Sequence, residues 1–348
     1  MEDAVTYAAW WLIPSMAGGC ALVILSGARA VHYGSLLGAR LGLSSLWVGL
    51  VILAALTSLP ELVVTIAAQT AVGRPGLVMS NVAGSNMFNL MIFPLLDLLE
   101  GPGAVSVALS PRLVQPALMG VGIMAVVVLG FVLPWFLPEG SHFWVGWITS
   151  LAVVGTYIFA MRRFTGGDDA EEEDEEAKGL SLRQIVLRFS CYSILLVGSG
   201  TTLIFLCDYL ILHPIRIGSF VLQVQENLVG TAVLGVVTSL PELTVCLTTL
   251  RMRAFDMAIG NILGSNIFNC TLLAVGHVIR PLDAFWSRAG GIHVFSLSMA
   301  MLLSVIVAMG IRSKSRFSLL RMGWDGLLLL LLGIITFIVI GSYGVSVG

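Results

Sequence analysis

Charge is scarce in this chain. Only 11% of its 348 residues are Asp, Glu, Lys or Arg, 57% are hydrophobic, and mean hydropathy is +0.96. Water-soluble domains carry about 25% charged residues, so composition excludes that class and points to a membrane protein. A basic excess is missing as well: the net charge of −2 and pI of about 6.2 give no field for tracking a nucleic-acid backbone, and nucleic acid is not expected as a partner. The five cysteines, Cys20, Cys191, Cys207, Cys246 and Cys270, stand singly in apolar stretches without zinc-type or disulfide-framework spacing, and read as small hydrophobes. There is no phosphate-binding loop or metalloprotease motif, so neither an enzyme nor a cofactor is expected. The Met-Glu-Asp start is acidic where a secretory signal peptide is basic, which predicts that the first apolar run stays as a membrane helix.

What is present is long apolar runs. They fall at 8–28, 42–72, 76–99, 113–137, 143–161, 185–212, 219–250, 255–279, 289–311 and 324–345, each near or above the roughly 20 residues that cross a bilayer as a helix. The expected fold is all-α and polytopic, with about ten transmembrane helices. One hydrophilic stretch, 162–183, interrupts them and packs eight acidic residues between Asp168 and Glu176. Like charges at that density build no core, and the stretch lacks the ligand alternation of an EF-hand, so it reads as a solvated tether. The chain thus divides into a first five-helix repeat (1–161), an acidic linker (162–183) and a second five-helix repeat (184–348). With the N-terminus outside, fourteen of the 18 basic residues fall in loops on one side, leaving Arg74, Arg216, Arg280 and Arg288 opposite. Lys and Arg resist translocation, so the N-terminus is expected outside and the linker in the cytoplasm. Asp97 and Glu100 lie near a helix end and are expected at the interface. Asp208 and Glu226 flank the outer side of the second half, where they would line a vestibule.

Two passages are nearly the same text. Thr57-Ser58-Leu59-Pro60-Glu61-Leu62 precedes Asn81-Val82-Ala83-Gly84-Ser85-Asn86-Met87-Phe88-Asn89, and Thr238-Ser239-Leu240-Pro241-Glu242-Leu243 precedes Asn261-Ile262-Leu263-Gly264-Ser265-Asn266-Ile267-Phe268-Asn269. A repeat of this length marks an internal duplication. Each half holds five spans, an odd number, so the second half is inverted relative to the first. In transporters built this way the substrate site lies near the bilayer midplane where the halves meet.

The residue types agree with such a site. A carboxylate deep in a membrane helix costs about 2.5–3.5 kcal/mol on insertion scales, a cost normally tolerated for function. Pro60 and Pro241 each remove a helical donor and free a carbonyl that a cation can satisfy. Thr57 and Glu61, at i and i+4, are expected to converge on one face. Asn81, Ser85 and Asn89 form one polar stripe, repeated by Asn261, Ser265 and Asn269. Two carboxylates amid neutral oxygens suit a hard cation such as Ca²⁺. A soft metal would call for thiolate or imidazole, and the histidines His32, His142, His213, His277 and His293 stand away from the Glu motifs.

On these motifs the sequence resembles the Ca²⁺:cation antiporter superfamily, specifically the prokaryotic sodium/calcium exchangers with two α-repeats, over essentially the whole chain. The resemblance implies Na⁺/Ca²⁺ exchange by alternating access in the plasma membrane, the inner membrane of a bacterium. Glu61 and Glu242 would bind Ca²⁺ and Na⁺ competitively, helped by Thr57, Ser58, Ser85, Asn89, Thr238, Ser239, Ser265 and Asn269, while the first and sixth helices slide over a rigid core. The expected partners are the lipid bilayer and the transported Ca²⁺ and Na⁺ or H⁺. The pattern departs at Leu56 and Val237, where the family commonly has Gly, at Ser80, another usual Gly, and at Asn269, where many prokaryotic members have Asp. Two formal negative charges then remain at the site. Ca²⁺/H⁺ exchange at the same carboxylates and an uncoupled cation channel are the competing expectations.

Overall fold

The computed structural model describes residues 2–73, 75–100, 105–164, 179–212, 215–217, 220–222, 236–281, 285–314, 317–319 and 321–346. The long helices are α1 (Glu2–Arg40), α2 (Ser45–Ala71), α3 (Pro75–Glu100), α4 (Pro111–Trp135), α5 (Glu139–Phe164), α6 (Leu182–Leu212), α8 (Phe255–Ile279), α9 (Gly291–Ser313) and α10 (Trp324–Ser346), with the shorter α7 (Leu240–Arg251) between α6 and α8. Nine of them are long and apolar enough to cross a membrane among the described residues. The fold is the expected polytopic helical one. Large side chains such as Leu151, Leu187 and Ile194 are exposed on the outside while Ser, Thr, Asn and Glu are buried within, an inversion that a lipid solvent favours.

Several boundaries differ from the expected ones. α1 runs through Arg29 to Arg40 instead of ending near residue 28; its 39 residues span about 58 Å at 1.5 Å per residue, well beyond the ~30 Å hydrocarbon core. It stops at Gly42, whose φ of 66° suits a residue without Cβ. α2 then starts from Ser44, whose Oγ accepts the Trp47 N–H at 3.3 Å. Phe220–Leu222, expected to open the seventh span, pair antiparallel with Ile215–Ile217 as strands β1 (Ile215–Ile217) and β2 (Phe220–Leu222). Apolar strand formers separated by Gly218-Ser219 carry a hairpin signal, which a count of hydropathy alone overrides. Most of the acidic linker, 165–178, lies outside the described residues, as do Glu226 and the side chain of Asp208.

The two largest apolar clusters organise the bundle. The main one draws on α2 to α5 and α7 to α10, through residues such as Leu50, Val82, Phe93, Met124, Val153, Leu250, Ile267, Leu303 and Leu329. A separate, smaller layer joins Val23 and Ala30 of α1 and Leu196, Leu203 and Ile204 of α6 to Leu56 of α2 and to Val237. α1 and α6 therefore pack along each other and lie as a pair against α2 and α7.

Asp97 corrects an expectation: it is fully buried rather than interfacial. Its Oδ1 accepts the Val105 N–H at 2.6 Å and its Oδ2 the Gly323 N–H at 2.9 Å, just ahead of α10. Strands β3 (Ser318–Leu319) and β4 (Met322–Gly323) bring that second donor to α3. Glu100 does reach the surface, where it pairs with Arg253. Because hydrogen bonds to a charged acceptor contribute about 1.5–3 kcal/mol each, Asp97→Ala is expected to lower the melting midpoint by several degrees in a thermal size-exclusion assay, with Asp97→Asn intermediate. An unchanged midpoint in Asp97→Ala would mean this tie contributes nothing to stability.

Candidate functional site

The two repeated motifs interrupt their helices in the same way. In α2 the helical backbone breaks at Ser58 (φ −89°, ψ 4°) and restarts at Leu59 with Pro60 in its first turn. In the second half it breaks at Ser239 (φ −93°, ψ 10°) and restarts at Leu240 with Pro241 in its first turn. Proline supplies no N–H, so a first turn is where it fits, and each Glu then sits in the opening turn of a new helical segment. Anions and the positive end of a helix stabilise one another there. α6 crosses both breaks: a Cβ on Gly200 would lie 3.1 Å from Pro60 Cγ and 3.5 Å from Pro241 Cγ.

All ten candidate residues are buried: Thr57, Ser58, Glu61, Ser85, Asn89, Thr238, Ser239, Glu242, Ser265 and Asn269. The halves exchange partners across their interface. Thr57 and Ser58 both reach the Glu242 carboxylate of the other half, Ser58 Oγ at 3.5 Å from Oε1. Thr57 Oγ1 also lies 3.2 Å from Ser265 Oγ and donates to Asn261 Oδ1 at 3.3 Å. Thr57 and Glu61, expected on one face, are both buried, and the Thr57 hydroxyl finds its side-chain partners on α8. Glu61 and Glu242 are close enough to act on each other electrostatically.

Many polar atoms here have no hydrogen-bond partner among the described residues. They include both oxygens of Glu61, Oε2 of Glu242, the hydroxyls of Ser85 and Ser239, Oδ1 of Asn89 and both amide atoms of Asn269. Leaving a buried polar group unmatched costs about 1–3 kcal/mol, so a cluster of them is unfavourable unless something else supplies the partner. The oxygens can meet a cation. Asn89 is oriented for it, since its Nδ2 donates to Asn266 Oδ1 at 3.1 Å and leaves Oδ1 turned away from that bond.

Asn86 and Asn266 hold no place in the expected site, yet they join its halves. Asn86 Nδ2 donates to the Asn266 carbonyl at 3.2 Å, and Asn266 Nδ2 donates back to the Asn86 carbonyl at 3.1 Å. This reciprocal pair ties α3 to its counterpart α8 as an inverted duplication would, each residue playing the other's part. The signal was in the motif: both residues are duplicated, but they stand one position off the polar stripe and face the partner helix.

The sodium/calcium exchanger protein family matches residues 11–166 and 192–343, one segment in each half. The chain belongs to the sodium/calcium exchanger family. It is a multi-pass membrane protein and a cation antiporter. This exchanger is 27% identical to CaxA of Alkalimonas amylolytica over 293 residues, covering 82% of this chain and 86% of that one. It is 26% identical to the inner membrane protein YrbG of Escherichia coli over 296 residues, 84% of this chain and 86% of that one. The structure of the sodium-calcium exchanger NCX_Mj soaked with 10 mM Na⁺ superposes with a TM-score of 0.70 at 19% identity, over 94% of this chain and 98% of that one, a likeness of fold.

Proposed function

We propose that this exchanger moves Ca²⁺ against Na⁺ by alternating access at a single site between the two inverted repeats, in the plasma membrane, or the inner membrane of a bacterium, with the acidic linker in the cytoplasm. The observation that carries this reading is the pair of buried carboxylates, Glu61 and Glu242, one from each half, amid neutral oxygens of Ser85, Asn89, Ser239 and Asn269 that have no hydrogen-bond partner among the described residues. Ca²⁺ takes six to eight oxygens in a flexible arrangement, and two carboxylates balance its charge. Thr57, Ser58, Ser85, Asn89, Thr238, Ser239, Ser265 and Asn269 supply the rest. Metal ions are the cargo, and no covalent step is required. The break and proline beneath Gly200 place α6 directly over both carboxylate-bearing turns, so that displacement of the α1–α6 pair would open the site alternately to the two sides.

Ca²⁺/H⁺ exchange at the same residues is the second reading, and Asn269 favours it. With only two carboxylates, one Ca²⁺ or two protons leave the site neutral, whereas three Na⁺ leave it positive. Proteoliposomes decide between the two: uptake of radiolabelled Ca²⁺ is expected when an outward Na⁺ gradient is imposed at equal pH. Uptake driven by a pH gradient without Na⁺ would replace Na⁺ by H⁺ as the coupling ion, and flux indifferent to both gradients would sink exchange in favour of an uncoupled channel.

A further inference from the structure

Outside the central site, the first turn of α4 and the last turn of α9 frame an open groove of about 790 Å³. Its chemistry is divided. Leu118 and Met119 of α4 and Ile311 of α9 give it an apolar wall, and Leu118 is 53% exposed although it belongs to a membrane-spanning helix. Three cations, Arg112, Arg312 and Lys314, also line it, and among the described residues no acidic one does. Lys314 is held there by its Nζ, which donates to the Leu109 carbonyl at 2.9 Å. Asp256, in the first turn of α8, accepts the Ser110 N–H at 2.8 Å beside the α4 start. Ser110 in turn caps α4, its Oγ accepting the Arg112 N–H at 3.2 Å.

We propose that this groove is a binding site for one anionic phospholipid, whose phosphate meets Arg112, Arg312 and Lys314 and whose acyl chain lies along Leu118 and Met119. Two arguments select a lipid over a soluble anion. The apolar wall shares the groove with the three cations, so an occupant with a charge and no hydrocarbon would leave Leu118 facing it unmatched. The groove also sits where two membrane helices end, the depth at which phosphates lie, and basic pockets between membrane helices bind anionic headgroups in this way. Phosphatidylcholine offers the same chain but adds a quaternary ammonium that the three cations repel.

The test is native mass spectrometry of the full chain in detergent, titrated with phosphatidylglycerol and with phosphatidylcholine of the same acyl chains. Wild type is expected to bind one phosphatidylglycerol at least about tenfold more tightly than phosphatidylcholine, given the attraction each basic residue near the surface provides. The triple variant Arg112→Gln, Arg312→Gln, Lys314→Gln is expected to bring the two lipids within about twofold. A control triple, Arg29→Gln, Arg163→Gln, Arg251→Gln, keeps the preference. Leu118→Trp, which fills the groove without altering its charge, lowers phosphatidylglycerol occupancy, so the proposal stays decidable even if the triple variant does not fold. It is overturned if the preference survives the first triple or is lost equally in the control, if Leu118→Trp binds as wild type does, or if equimolar inorganic phosphate displaces the lipid.

Discussion

Proteoliposomes carrying Glu61→Gln or Glu242→Gln are expected to show gradient-driven Ca²⁺ uptake at least about 100-fold below wild type, while both proteins are at least as resistant to heat as wild type. The first half of that result follows from charge. Two unit charges 4 Å apart attract by about 4 kcal/mol at an effective dielectric constant of 20, and a divalent ion roughly doubles this. Gln keeps the shape and one oxygen but forfeits that attraction, so even after relief of the desolvation penalty, 100-fold is a modest expectation. The second half follows from the hydrogen bonds. Glu61 has no partner for either oxygen among the described residues, and Glu242 has none for Oε2. Neutralising either residue removes a buried, poorly compensated charge, which stabilises a fold when no native ion pair is broken. Loss of transport together with gain of stability is the signature of residues retained for ion binding. A variant that transports normally would remove that residue from the site; one that fails only by unfolding would make its role structural.

The site and the fold were not equally legible in the sequence. Glu61 and Glu242 stood out because a carboxylate in an apolar run is costly and because the duplication repeats it, two signals that need no tertiary structure. The same duplication gave the inverted plan, and the lengths of the apolar runs gave most of the helices. Helical spacing sets Thr57 and Glu61 on one face, but it carries no information about the partners Thr57 takes on α8, Asn261 and Ser265, 204 and 208 residues along the chain. Asp97 is buried where an interfacial place was expected. Its burial depends on Val105 and Gly323, the second lying far along the chain, and distance from a helix end carries no information about such a contact. Asn86 and Asn266 lie within the duplicated motif, but only the pairing of α3 with α8 shows that they face each other.

α8 also approaches α2 closely along its main chain, and Gly264→Ala is expected to expose that seam. A Cβ at Gly264 would run into the Leu50 carbonyl and lie 2.6 Å from Ala54 Cβ, both on α2. Gly260, one turn earlier, is similarly tight, with 3.0 Å from its Cβ to the Leu46 carbonyl. The obstacle at Gly264 includes main chain, which no rotamer change can withdraw, so α2 itself has to shift. Overpacking of this kind costs about 1–3 kcal/mol and at times more, against the ~1 kcal/mol that Ala gains over Gly as a helix former. At Gly155 in α5 a Cβ meets nothing within 4 Å, and only the helical gain applies. The same substitution is therefore expected to lower the melting midpoint at Gly264 and to leave it unchanged or raise it at Gly155. Function should follow the first change, because Ser265 and Thr57 meet at 3.2 Å beside Gly264 and their separation is fixed by the α2–α8 seam. If both variants melt alike and transport alike, α2 and α8 are not held in main-chain contact, and the geometry joining Thr57 to Ser265 does not depend on that seam.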